Sequence, residues 1–166
     1  MAAEEVRDAM LAVTGELNEK GGGIRARPDM DLEAELQTRM IMGTLAQSYV
    51  ADTKPAQRNR RSVYALKLRG QRDPFMTTFN QPGPDKSCEL RDSSNVTPQV
   101  FTLFNSEESA DRALAFAARV LKETKGDGQA VRRAFRLAFR RLPNKAEAND
   151  ALQLWTEPTQ NQARPN

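Results

Sequence analysis

The sequence predicts a mainly α-helical fold, a bundle-like single domain, on three observations. Apolar residues recur at the helical period of 3.6 residues in residues 3–19 and through most of the C-terminal half. Helix-starting residues occur at several positions, as in the pair Asp73-Pro74 before a short helical turn. Alternation typical of a strand occurs only around residues 62–69, and it is weak. We therefore expect helices packed on one another, with at most a minor strand pair at 62–69.

The N-terminal half is predicted to begin with a helix over residues 3–19. Its apolar face would be formed by Val6, Met10, Val13 and Leu17. The glycines at 21–23 supply a left-handed stop for this helix. Asp31 can cap a second, short helix that continues toward Met42, and the aperiodic residues 43–59 are predicted to be loop.

Start and stop signals delimit the remaining helices, and residues 80–96 between them are irregular. Asp73-Pro74 begins a helical turn through Phe79, Thr97-Pro98 begins another helix, and Ser106 before two glutamates begins the next. Pro143 ends a helix over 129–142. Asn144 with Glu147 forms a capping box for a last helix through Trp155. We expect one domain over residues 1–155 and a frayed polar tail over 156–166.

Composition excludes several classes of function. Hydrophobic residues make up 39% and charged residues 28% of the 166 residues, so the chain can bury a core, and no apolar run is long enough for a membrane span. The chain has no His and one Cys, Cys88. This composition excludes four features within the chain: catalysis that needs a His, metal ligation by imidazole, haem attachment and internal disulfides. We therefore expect no cofactor and no metal. Cys88 is interpreted as a small buried residue rather than a reactive thiol.

A basic stripe is predicted on the helix over 129–142, formed by Arg132, Arg133, Arg136 and Arg140. Its opposite face carries Val131, Phe135, Ala138 and Leu142, which we expect to be buried. The favoured interpretation is a core helix whose arginines are solvated and paired with acids. The alternative is a binder of nucleic acid or another anionic polymer, which the mild net charge of +3 does not favour.

Five short motifs, in order along most of the chain, resemble those of one family. The first is Ala3-Glu4-Glu5-Val6-Arg7-Asp8-Ala9-Met10-Leu11-Ala12-Val13-Thr14-Gly15, followed by Gly22-Gly23, and the second is Arg60-Arg61-Ser62-Val63-Tyr64. The third is Phe79 with Pro82, Cys88 and Arg91, and the fourth is Thr97-Pro98-Gln99-Val100-Phe101-Thr102-Leu103-Phe104-Asn105. The fifth is Leu142-Pro143 with Glu147. The pattern resembles a C-terminal domain of unknown function that closes large exported proteins abundant in planctomycetes. Val100 and Phe101 depart from the family's usual Ala and Leu.

The resemblance implies a context rather than a reaction. In that family the domain follows a second domain of unknown function, often with a cytochrome c-like segment further upstream. It implies that this chain is a fragment of a larger extracytoplasmic protein, with the upstream domains and polysaccharide-utilisation or redox proteins as partners. Haem binding would belong to the upstream segment.

Three functions follow as hypotheses. The leading one is a non-catalytic interaction or structural module, so we do not assign the isolated chain as an enzyme. The second is a composite active site shared with an upstream domain, to which a polar cluster would contribute Arg61, Tyr64, Cys88, Arg91, Gln99 and Asn105. The third is the anionic-polymer binder. For Gln99 and Asn105 we also expect a structural role, in which they clasp the 80–96 loop and a helix end.

Overall fold

The computed structural model describes residues 2–30, 38–41, 44–47, 49–68, 73–83, 90 and 96–156. The described chain is mainly helical, as predicted. Its helices are α1 (Ala3–Thr14), α2 (Pro55–Arg58), α3 (Pro74–Thr78), α4 (Thr97–Asn105), α5 (Glu107–Glu123), α6 (Asp127–Phe139) and α7 (Lys145–Thr156), with a 3₁₀ helix at Ser62–Tyr64. None of the helices in these residues is both long and apolar enough to cross a membrane.

The strand pair lies elsewhere than predicted. Strands β1 (Thr38–Ile41) and β2 (Thr44–Gln47) form an antiparallel hairpin in which Thr38 is opposite Gln47. The prediction of a helix continuing toward Met42 is therefore wrong for 38–41, and the loop predicted over 43–59 is wrong at β2 and α2. Two short strands satisfy each other's backbone groups by pairing, which the periodicity of either segment alone does not reveal. Asp31 and Met42 lie outside the described residues.

No strand forms in residues 62–68, the described part of the segment in which a minor strand was predicted. Ser62–Tyr64 is a 3₁₀ helix, and the residues after it make only isolated backbone bridges. The amide of Ala26 donates to the carbonyl of Tyr64 at 3.0 Å, and the amide of Leu66 donates to the carbonyl of Ala26 at 2.7 Å. Residues 64 and 66 thus bond the backbone of Ala26, which lies in a loop.

Helix α1 ends earlier and faces differently than predicted. Gly15 adopts a left-handed conformation (φ 78°, ψ 13°) directly after Thr14, so the glycines at 21–23 do not stop the helix. The positions it buries are Ala3, Arg7, Leu11 and Thr14. The predicted face of Val6, Met10, Val13 and Leu17 is only half-buried. The buried face differs from the predicted one because α1 turns Arg7 inward, where hydrogen bonds stabilise its charge. A pattern of apolar residues cannot predict the burial of a charged side chain.

The chain divides into two compact units, residues 1–115 and 116–166. The first has a core of Ala3, Phe75, Met76 and Phe79, where Val6 and Met10 pack. The second buries Val120, Ala130 and Val131, and α6 packs against α7. The single domain over 1–155 stays a prediction, and the tail beyond residue 156 lies outside the described residues.

The starts of the later helices follow the local signals. The carboxylate of Asp73 accepts a hydrogen bond from the amide of Met76 at 3.2 Å, and the hydroxyl of Ser106 accepts one from Ser109 at 3.2 Å. Asn144 and Glu147 exchange both bonds of a capping box, at 2.8 and 2.9 Å. Each cap is complete within a few residues, which explains why the sequence predicts it.

Candidate functional site

Arg7 joins α1 to the segment at residues 58–62. Only 5% of its surface is exposed. One terminal nitrogen donates to the carbonyl of Arg60 at 3.1 Å and to the hydroxyl of Ser62 at 3.2 Å, and the other donates to the carbonyl of Arg58 at 2.8 Å. A buried guanidinium is stable only when such acceptors replace water, so this set of bonds fixes the position of the side chain.

Asp8 strengthens the same junction. Its carboxylate accepts hydrogen bonds from the backbone amide of Ser62 at 2.8 Å and from the Ser62 hydroxyl at 2.7 Å, and it lies 3.6 Å from Nε of Arg61. The first two sequence motifs, around Arg7-Asp8 and Arg60-Arg61-Ser62, are thus one structural unit.

Arg60 and Tyr64 hold the glycine-rich loop after α1. The guanidinium of Arg60 donates to the carbonyls of Lys20, Gly22 and Ile24. It also lies over the ring of Tyr64, 4.8 Å from the ring centre. Because this guanidinium is occupied by backbone carbonyls and an aromatic ring, it fixes the loop and is not presented to a ligand.

A cleft of about 680 Å³ opens beside Arg7 in the first unit. Helices α1, α3, α4 and α5 all contribute to it, with residues of the segments around 29 and 59. One part of its wall is apolar, formed by Leu11, Met30, Pro74, Phe75 and Phe101. Another is charged or polar, formed by Arg7, Asp29, Asn59, Thr78, Thr102, Asn105, Ser106, Glu107, Glu108, Asp111 and Arg112.

The surroundings of Glu108 in this cleft shift the pKa of its carboxyl group. Burial raises its pKa from 4.5 to about 7, and the nearby guanidinium of Arg7 opposes this shift. About 29% of the side chain remains exposed, yet Oε1 lies 3.8 Å from Nε of Arg7 and the carboxyl has lost much of its hydration. The group therefore exchanges a proton near neutral pH.

The other charges of the cleft leave an excess of acid. Arg112 forms an ion pair with Glu16, and Asp29 lies 2.9 Å from Nε of Arg58. Glu107 and Asp111 are exposed, and neither has an ion pair with any of the described residues. The mouth of the cleft therefore carries net negative charge when Glu108 is ionised.

The polar cluster predicted from the sequence is distributed over several sites. Arg61 is exposed beside Asp8, and Tyr64 lies under Arg60. The buried Gln99 donates to the carbonyl of Thr78 at 3.1 Å. Asn105 alone of the described members lines the cleft, and it donates to the carbonyl of Phe101 at 2.9 Å. Cys88 and Arg91 lie outside the described residues.

The arginines of α6 have mixed surroundings. Arg132, Arg136 and Arg140 are exposed, whereas Arg133 is half-buried with its Nε 2.5 Å from a carboxylate oxygen of Glu123. On the predicted apolar face, Val131 is buried and Phe135 half-buried, but Ala138 and Leu142 are exposed, so that part of the prediction is wrong. The helix ends at Phe139 and Arg140 is left-handed (φ 58°), which takes Leu142 off the helical face.

The sequence interpretation missed Arg7, Glu108 and Asp111 as members of one site. Glu107 and Glu108, the two glutamates after Ser106, lie in the first turn of α5, where negative charge is favourable. That position accounts for their charge but does not indicate what they face. The spacing of Glu108, Asp111 and Arg112 places them on one side of α5 and was the available signal. No group of three metal-ligating side chains occurs in the part of the chain that the structure describes.

Comparison with known families gives one result. A family model described as PSD1, protein of unknown function (DUF1553), matches residues 1–155. No curated protein and no solved structure matches the chain. Because the match spans nearly the whole chain, the chain belongs to this family.

Proposed function

We propose that this member of the PSD1 family is a non-catalytic interaction module of a larger extracytoplasmic protein, and that α4 docks on an upstream domain of that protein. The observation that carries the proposal is the exposed apolar surface of α4. Its side chains are exposed by 50% at Val100, 64% at Phe101, 42% at Leu103 and 84% at Phe104.

The spacing of these residues favours a docking surface. Val100, Leu103 and Phe104 stand at positions i, i+3 and i+4, the arrangement by which a helix fills an apolar groove. A helix of a folded domain normally turns such a face toward its own core, whereas the buried residue of α4 is Gln99. Covering this face would contribute about 25 cal/mol for each Å² of apolar surface removed from water.

The choice of partner rests on the family resemblance. In the family that the motifs resemble, the domain follows another domain of unknown function, so the resemblance supports a partner on the same polypeptide. The same resemblance supports an extracytoplasmic location, a cytochrome-linked parent and partners from redox or polysaccharide-utilisation systems. A tethered partner needs little intrinsic affinity, because the linker keeps its local concentration high.

Binding between this chain and the separately produced upstream domains tests the proposal. We expect a stable complex on gel filtration, and at least a tenfold loss of affinity for Phe104→Ser, since a large buried side chain contributes about 1.5–3 kcal/mol. Ile24→Ser is the matched control, because Ile24 is also exposed but lies in the loop after α1. Equal affinities for both variants, or dimers of this chain alone, would contradict docking on an upstream domain. Haem staining of the complex tests the cytochrome link.

A composite active site is the second candidate function, and the proton exchange of Glu108 near pH 7 favours it. A carboxyl group with that pKa suits general acid–base catalysis at neutral pH. It requires the upstream domain to cover the cleft. A photo-crosslinker placed at Asp111 should then capture the upstream domain, and capture only from position 104 would favour the interaction module.

A further inference from the structure

We propose that the cleft between α1, α3, α4 and α5 binds an organic cation on an apolar stem, an alkylammonium or guanidinium group with a hydrocarbon chain. The source would be a free amine or a Lys or Arg side chain of another protein. This inference goes beyond the docking function and does not require α4 to be covered.

The size and shape of the cleft are the first support. Its volume of about 680 Å³ lies within the range of about 300–1,000 Å³ usual for small-ligand sites. Leu11, Phe75 and Phe101 provide apolar surface for a hydrocarbon stem. The exposed ring of Phe101 can also attract a cation through its face.

The sign of the charge is the second support. Both terminal nitrogens of Arg7 donate to the 58–62 segment, and Nη1 of Arg112 pairs with Glu16. Nε of Arg112 is buried without a hydrogen-bond partner among the described residues, but the positive charge of this side chain is already balanced by Glu16. Glu107 and Asp111 are exposed and have no ion pair among the described residues, so a ligand cation would meet uncompensated carboxylates.

The surroundings of Glu108 connect this binding to pH. The groups that act on it are Arg7 from α1, Asp73 before α3, Asp29 from the segment after α1, and Arg112 on its own helix. A bound cation favours the ionised carboxylate, so binding would release a proton from Glu108 below pH 7. Affinity should consequently rise by about tenfold between pH 6 and pH 8 if the ligand lowers the pKa of Glu108 by about two units.

Calorimetric titration with hexylammonium tests the proposal on the full chain, with hexanol and hexanoate as neutral and anionic controls of equal stem length. We expect binding of hexylammonium to exceed that of both controls, and release of a proton at pH 6. The double variant Glu107→Gln with Asp111→Asn should weaken binding by at least tenfold. Glu19→Gln, an exposed acid in the loop after α1, should leave the affinity unchanged.

Two further measurements complete the test. A short peptide with one central lysine distinguishes the sources: tighter binding of the peptide indicates a protein partner, and tighter binding of the amine indicates a free ligand. Phe104→Ser should retain cation binding even if it abolishes docking, so that failure of one idea does not imply failure of the other. No binding of either cation, or binding of hexanol equal to that of hexylammonium, overturns the proposal.

Discussion

Nε of Arg7 lies 3.8 Å from Oε1 of Glu108, yet this guanidinium does not keep the carboxyl group acidic. The terminal nitrogens of Arg7 are directed instead to the carbonyls and the hydroxyl of the 58–62 segment. The loss of hydration at Glu108 outweighs the remaining attraction, so its pKa rises. Arg7 thus stabilises the junction between α1 and the 58–62 segment and also influences the pKa of Glu108 in the cleft.

The first prediction concerns Arg7 as a structural clasp. Arg7→Met keeps an apolar stem of similar length but leaves buried carbonyls at residues 58 and 60 without their donors. We expect the free energy of unfolding to fall by about 3–5 kcal/mol, the usual cost of removing one member of a buried polar network. Urea denaturation of the purified chain measures it.

Arg61→Met is the matched control, because Arg61 is exposed and lies 3.6 Å from Asp8. A surface ion pair of this kind contributes less than about 1 kcal/mol. Equal losses of unfolding free energy for Arg7→Met and Arg61→Met would contradict the structural role assigned to Arg7.

The second prediction follows from the raised pKa of Glu108. The folded state holds a proton between pH 4.5 and about 7 that the unfolded state has released, so this group lowers stability as pH rises through that window. Glu108→Gln imitates the protonated side chain. It should leave stability unchanged at pH 4.5 and increase it by about 2–3 kcal/mol at pH 8, at about 1.4 kcal/mol for each pKa unit.

Urea denaturation of parent and variant across this pH range measures the difference. Glu107→Gln removes the same charge at the neighbouring exposed position and serves as the matched control. A stability difference for Glu108→Gln that is the same at pH 4.5 and pH 8 would show that Glu108 titrates normally.

The third prediction concerns the capping box of α7. The hydrogen bond from Arg141, followed by the amide of Asn144, lowers the pKa of Glu147 to about 2. The stabilisation it provides is present above the unfolded pKa of 4.5 and is lost as pH falls toward 2. We expect Arg141→Ala to raise the pKa of Glu147 toward its usual value, as measured by carbon-13 NMR of the carboxyl group. Arg140→Ala is the control, and an unchanged titration in Arg141→Ala would contradict the assignment.

Local and long-range features differed in how far the sequence could predict them. The caps at Asp73, Ser106 and Asn144 were predicted because each motif is completed within a few residues. The hairpin was missed because a strand is specified by its partner as much as by its own residues. The orientation of α1 was missed because burial of Arg7 depends on acceptors more than fifty positions away.

The cleft could not be predicted from the sequence for the same reason. Arg7, Phe75 and Glu108 come from three helices, and no spacing along the chain indicates that they meet. The motifs of the family resemblance identified several of the right segments. They could not distinguish a residue such as Gln99, which bonds the backbone, from one such as Asn105, which lies at the cleft.

The last prediction separates those two residues. Gln99 is buried, and its amide donates to the carbonyl of Thr78, the last residue of α3. This helix end has carbonyls without intrahelical donors, so Gln99 acts as a clasp between α3 and α4. Gln99→Ala removes the donor, and we expect the free energy of unfolding to fall by about 1–3 kcal/mol.

Asn105 differs because it is exposed and its amide donates to the carbonyl of Phe101 within its own helix. Water can replace that bond, so Asn105→Ala should change stability by less than about 0.5 kcal/mol. Urea melts of the two variants measure both values. The sequence suggested a clasp at both positions, whereas the structure predicts one only at Gln99. Superimposable curves for the parent and Gln99→Ala would overturn the clasp, and a large loss for Asn105→Ala would show that its side chain supports the cleft wall.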